Sequence, residues 1–131
     1  MASCLGSWKV RGELADSRAR MACTETYEWA PGHYFIVYRF DRQIGAQKHQ
    51  GNGLIGYDDT RRAHFAYFVD NMGYSRAYDL HIENNRWIFS GQWERATLTF
   101  DSKENHMGAH WEHSSDGESW RVLCDFEGRR E

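Results

Sequence analysis

What most constrains this chain is a rhythm: about ten short stretches in which apolar and polar residues alternate with a period of two, each followed by a turn signal. That period places successive side chains on opposite faces of a strand. The first predicted strands run from Leu5 to Leu14, Arg20 to Trp29 and His33 to Asp41. Next come a short one from Gly53 to Tyr57, then Ala63 to Asp70, Tyr74 to Glu83 and Arg86 to Trp93. Three more follow, carrying Ala96, Leu98 and Phe100, then Met107, Ala109, Trp111 and His113, then Trp120, Val122, Cys124 and Phe126. Ala30-Pro31-Gly32, Asn71-Met72-Gly73, Asn84-Asn85 and Ser114-Ser115-Asp116-Gly117 supply turn chemistry between them. The polar segment Gln43 to Gln50 reads as a loop, and no stretch of useful length has helical spacing.

Short connections make sequential strands pair antiparallel. A flat sheet of about ten strands would leave two long edges, and closure into an up-and-down barrel removes them. The expected fold is therefore all-β, a single antiparallel up-and-down barrel of about ten strands spanning 1–131 as one domain. A two-sheet sandwich is the competing architecture, with Gln43 to Gln50 as its crossing connection. The aromatic share of 15% suits either one, because flat rings pack well on a pleated surface.

A net charge of -3 gives no electrostatic reason to expect nucleic acid or an anionic membrane as partner. The chain shows no stretch as long as a membrane span and no apolar leader, so a cytoplasmic location is expected. Cys4, Cys23 and Cys124 are an odd set without C-x-x-C spacing, and Cys23 and Cys124, each in an apolar strand pattern, read as buried free thiols.

Several short motifs carry a resemblance. Leu5-Gly6-Ser7-Trp8 resembles the G-x-W opening of lipocalin-like barrels. Gly53-Leu54-Ile55-Gly56-Tyr57-Asp58, Tyr67-Phe68-Val69-Asp70, Trp93-Glu94-Arg95 and Ser115-Asp116-Gly117 with Trp120 follow in order. Together they resemble a bacterial family of small uncharacterised domains with a lipocalin-like, calycin-type barrel. The resemblance implies a barrel with an internal cavity, with Trp8 buried at the closed end, and it implies no defined reaction.

Within such a barrel the more apolar face of each strand points into the lumen. That face also carries Glu25, Tyr27, Tyr38, Tyr67, Arg76, Tyr78 and His113, with Trp111 among its rings. A mostly apolar cavity with a few convergent polar groups is what a small-molecule site looks like. Arg76 sits between Tyr74 and Tyr78, and Glu25 between Cys23 and Tyr27. A buried guanidinium requires a partner, which could be Glu25 or a ligand's anionic end. His113 reads either as a rim residue bonded to a loop, or as a general base or haem ligand. The pair His110 and His113 points to opposite strand faces, so no metal site is expected. Nor is there a nucleophile elbow, catalytic triad spacing or phosphate-binding glycine loop.

The leading expectation is a binding module for a small, mostly apolar molecule with a polar or anionic end, requiring no cofactor. A cofactor-independent cyclase or isomerase, using Glu25, a tyrosine or His113 for proton transfer, is the second. Haem binding through His113 is the third. The expected partner is a small hydrophobic or amphipathic molecule, and a homodimer is compatible with all three.

Overall fold

The computed structural model describes residues 2–101 and 103–131. A short 3-10 helix, Ala2–Cys4, precedes ten strands: β1 Gly6–Leu14, β2 Arg20–Trp29, β3 Phe35–Ile44, β4 Gln47–Asp58 and β5 Ala63–Asp70, then β6 Ser75–Glu83, β7 Arg86–Ser90, β8 Glu94–Asp101, β9 His106–His113 and β10 Arg121–Arg130. Each strand pairs antiparallel with its neighbours in sequence, and β1 pairs with β10. The result is a closed up-and-down barrel, and the sandwich alternative falls away. Closure leaves no free sheet edge for another strand to join.

The alternation works as read on most strands. On β2, Met21, Cys23, Glu25 and Tyr27 are buried, with Thr26 half-buried between Glu25 and Tyr27 and the outward-facing Ala22, Thr24 and Glu28 exposed. On β8, Ala96, Leu98 and Phe100 face in. Tight hairpins join the strands, with left-handed backbone at Gly45 (φ 58°) and Asn84 (φ 55°), where glycine and asparagine tolerate it best.

Four expectations need correcting. The polar segment at Gln43 to Gln50 is no loop: Gln43↔Lys48 and Ile44↔Gln47 pair across a hairpin, so β3 and β4 run on past it. The predicted short strand Gly53 to Tyr57 is accordingly the second half of a twelve-residue strand. Trp93 lies beyond β7, whose last residue is Ser90, and its ring is exposed. On β10 the register shifts between Val122 and Cys124, so Val122 is exposed while Cys124 and Phe126 face the core.

The interior has a solid end and an open end. At the first, Trp8, Trp87, Phe100 and Met107 are fully buried. Phe100 meets Trp8 and Trp87 edge-on at 5.7 and 5.2 Å between ring centroids. The Trp8 indole Nε1 donates to the Cys4 carbonyl at 2.8 Å, tying the short helix across this end. Outside it, the Arg130 guanidinium lies 4.6 Å from the Trp8 ring and donates to the Ser3 carbonyl at 2.7 Å.

Candidate functional site

A cavity of about 370 Å³ occupies the open half of the lumen. Its wall takes in residues from the open ends of the strands, Leu14, Met21, Ile44 and Leu123 among them, and rings such as Phe68, Phe89 and Trp111 deeper in. Two inward glycines on β4 help to arrange these rings. A Cβ at Gly51 would come 2.6 Å from Phe40, and one at Gly53 would come 2.3 Å from Phe68. Both rings therefore lie across β4 where any other residue would push them out.

Set into this wall is a charged cluster. Glu25 is 2% exposed, and its Oε1 accepts a short hydrogen bond from the Tyr38 hydroxyl. The Arg42 Nη2 donates to the same hydroxyl oxygen at 3.4 Å and stands 4.0 Å from Glu25 Oε1. A chain of donors thus runs from Arg42 through Tyr38 to Glu25. The Arg42 guanidinium also rests 4.2 Å from the Phe40 ring centroid. Burial pushes the Glu25 carboxyl up, with Arg42 and the Tyr38 hydroxyl pulling the other way. The Tyr27 and Tyr38 phenols are pushed far above their ordinary range, first by burial and then by the Glu25 charge. Glu25 Oε2 and Arg42 Nε are buried without a hydrogen-bond partner among the described residues. Two unsatisfied groups in one buried cluster are costly to keep.

Nearer the mouth the charges are better matched. Arg76 Nε donates to Glu94 Oε1 at 3.1 Å, and the Tyr78 hydroxyl donates to Glu94 Oε2 at 3.3 Å. The His49 Nε2 lies 2.9 Å from Asp70 Oδ2. Burial would raise the Asp70 carboxyl, but the bonds from His49 and from the Tyr74 and Met72 backbone amides outweigh it and hold it low.

Of the eight residues expected at the site, Glu25, Tyr27, Tyr38, Tyr78 and Trp111 meet on the cavity wall, and Arg76 stands at its mouth. Arg76 does not pair with Glu25: its carboxylate is Glu94, and the partner of Glu25 is Arg42. Tyr67 points outward and is 46% exposed, because Ala66 and Phe68 take the inward positions of β5. His113 is half-buried at the open end of β9 and is not part of the cavity wall. Arg42, His49 and Glu94 were not among the expected site residues, although Glu94 lies in the Trp93-Glu94-Arg95 motif. Arg42 could have been found by carrying the inward series Ile36, Tyr38, Phe40 one step further. The three cysteine side chains are buried, and burial pushes the Cys4 and Cys23 thiols up to about 12 and the Cys124 thiol to about 11. No group of three or more His, Cys, Asp or Glu side chains among the described residues could hold a metal ion.

No protein-family model matches the chain, and no curated protein matches it significantly. Two solved structures are similar to it in fold. Rv2717c from M. tuberculosis aligns over 99% of this chain and 94% of its own, with a TM-score of 0.71 and 10% identity. A de novo designed fluorescence-activating β-barrel aligns over 97% of this chain and 93% of its own, with a TM-score of 0.53 and 16% identity. At such identities the likeness is one of fold alone, a β-barrel compatible with ligand binding.

Proposed function

We propose that this protein is a lipocalin-like binding barrel that holds a small, mostly apolar molecule in the open half of its lumen, with a polar or anionic end against Arg42. The observation that carries this reading is the cavity with the Glu25–Tyr38–Arg42 cluster in its wall. A volume of about 370 Å³ lies at the lower end of the range for small-molecule pockets, about 300–1,000 Å³. It suits a molecule of up to about three rings. Aromatic and aliphatic side chains would surround its body, and the Arg42 guanidinium would receive a carbonyl or carboxylate. The designed neighbour is fluorescence-activating by its description, and that property belongs to that protein.

A proton-transfer enzyme would use the same carboxyl, raised by burial and hydrogen-bonded to Tyr38. The haem reading rested on His113, and that residue is not part of the cavity wall.

The test is fluorescence titration with 8-anilinonaphthalene-1-sulfonate, an aromatic anion, against a neutral dye of similar size. Saturable binding of the anion, weakened about tenfold or more in a folded Arg42→Met variant while the neutral dye is little affected, is the expected result. Equal affinity of wild type and Arg42→Met for the anion would remove Arg42 from the site. No saturable binding of either dye would remove the binding reading.

A further inference from the structure

Every basic side chain on the cavity wall already has a carboxylate beside it. Arg42 stands 4.0 Å from Glu25, Arg76 meets Glu94 at 3.1 Å, and His49 meets Asp70 at 2.9 Å. Among the described residues, no other charged side chain or histidine lines the cavity. Two guanidiniums and one histidine therefore stand against three carboxylates. A guest anion would add a further negative charge in a space that water screens poorly, and a buried charge without a counter-charge is costly. For such a guest to stay, a carboxylate on the wall has to give up its charge.

The three carboxylates are not equally able to do so. Asp70 Oδ1 accepts the Met72 and Tyr74 backbone amides at 3.0 Å each, and its Oδ2 meets His49. Glu94 takes Arg76 on one oxygen and the Tyr78 hydroxyl on the other. Glu25 is the most deeply buried of the three, and its basic partner is the most distant. Its Oε1 accepts from Tyr38, while Oε2 has no hydrogen-bond partner among the described residues. A proton can settle on Oε2 without breaking a bond. Tyr38 then goes on donating to Oε1, and Arg42 keeps its charge with no carboxylate to match it.

We propose, on the strength of the binding reading above, that the site takes up an organic anion together with a proton from solvent, the proton going to Glu25 and the guest's charge replacing that of Glu25 beside Arg42. The guests that fit are conjugate bases of organic acids, with an apolar body and one carboxylate or sulfonate. Anion binding and protonation are then linked, and each strengthens the other. Burial favours the neutral form of Glu25, which eases the exchange.

Most ionisable groups around Glu25 keep one charge state through neutral pH. Cys23 and Tyr27 flank it on β2, and β3 brings Tyr38 and Arg42. On β1, Trp8 lies opposite, and the inward Val10 and Gly12 add nothing ionisable. Burial pushes the Cys4 and Cys23 thiols up to about 12 and the Cys124 thiol to about 11, and it raises the Tyr27, Tyr38 and Tyr78 phenols. Asp70 is held low. His49, opposite Arg42 on β4, and Glu94 across the cavity are the rival sites for the proton.

Fluorescence titration from about pH 5 to about pH 9 tests the linkage. The probes are 8-anilinonaphthalene-1-sulfonate, which stays ionised throughout, and N-phenyl-1-naphthylamine, the same rings without the charge. The dissociation constant of the anion should rise with pH, approaching about tenfold per unit, while that of the neutral dye stays level. Calorimetry in two buffers of different ionisation enthalpy should show protons taken up with the anion on that rising limb. Glu25→Gln has no charge to neutralise and should bind the anion without the slope. His49→Gln and Glu94→Gln should both keep it, and these two make the assignment should Glu25→Gln not fold. Wild-type anion affinity that ignores pH, or a slope shared by the neutral dye, overturns the proposal and leaves the binding reading standing. A slope that survives in folded Glu25→Gln, or vanishes in His49→Gln or Glu94→Gln, overturns it too, because the proton then goes elsewhere. No saturable binding of either dye at any pH would instead remove the binding reading, and this proposal with it.

Discussion

At the closed end of the lumen, Trp8, Trp87, Phe100 and Met107 fill the space to full burial, and the rings meet edge to face. At the open end the same alternation of inward residues delivers Glu25, Arg42, His49 and Arg76 beside a cavity. The strands are continuous from one end to the other, so the backbone does not make the difference. Side-chain volume and polarity do. Dense apolar packing provides the stability that lets the other half of the same strands stay hollow and carry buried charge, which by itself is a cost.

The largest expected effect follows from that contrast. Trp8→Ala should lower stability by about 3–5 kcal/mol, since it empties a packed site and removes the indole bond to Cys4. Trp111→Ala removes a ring of the same size, but from a half-buried position on the wall of an existing cavity. Its cost should be well under half as large, because little new void is created. Urea unfolding of both variants checks this, and equal losses would show that the two halves are packed alike.

Much of this architecture was legible in the strand periodicity, and the misses have local physical causes. Ala63 to Asp70 is apolar on both faces because its outer face is also apolar, so Tyr67 gave no polarity contrast to set its phase. Arg42 was lost for the opposite reason. Beyond Asp41 the outward residues Gln43, Lys48 and Gln50 are polar, and the hairpin they line looks like a loop. The bulge between Val122 and Cys124 cannot be seen from alternation, because it interrupts the alternation itself. Glu25 was found since both faces of β2 are distinct. Its partner went unnamed because Arg76 was the inward arginine in view, whereas the β2–β3 register, with Cys23 opposite Arg42 and Glu25 opposite Phe40, brings Arg42 within reach of it.

The second prediction concerns the charge in the open half. Burial raises the Glu25 carboxyl, so the folded protein holds that proton more tightly than the unfolded chain does. The associated stability is fully present below the unfolded value, about 4.3, and is lost as pH rises through the folded one. Glu25→Gln removes this loss while keeping a polar group beside Tyr38. The variant should therefore gain on the wild type as pH rises from about 4 toward neutrality. Carboxyls held low, such as Asp70 and Asp116, act in the other direction, but they are common to both proteins and cancel in the comparison. Thermal unfolding across that range checks it, and parallel curves would mean that Glu25 titrates as an ordinary carboxyl.

The smallest expected effect separates the mouth of the cavity from its wall. Arg76 and Glu94 form an ion pair with side chains 39% and 25% exposed, so water screens much of the attraction. Pairs of this kind contribute about 0–1 kcal/mol, and Arg76→Met should cost no more than that. The guanidinium is also committed to Glu94 Oε1 and to the Ser75 carbonyl, which leaves less of it for a guest. Arg42 meets Tyr38 at 3.4 Å, Glu25 at 4.0 Å and the Cys23 thiol, contacts that are long or weak, and it lies deeper in the wall. Arg76→Met should accordingly change the affinity for 8-anilinonaphthalene-1-sulfonate by less than about threefold, against about tenfold or more for Arg42→Met. Titrating the two folded variants side by side gives the comparison directly. Should Arg76→Met abolish binding and Arg42→Met preserve it, the polar end of the guest sits at the mouth, and the inner cluster serves the fold alone.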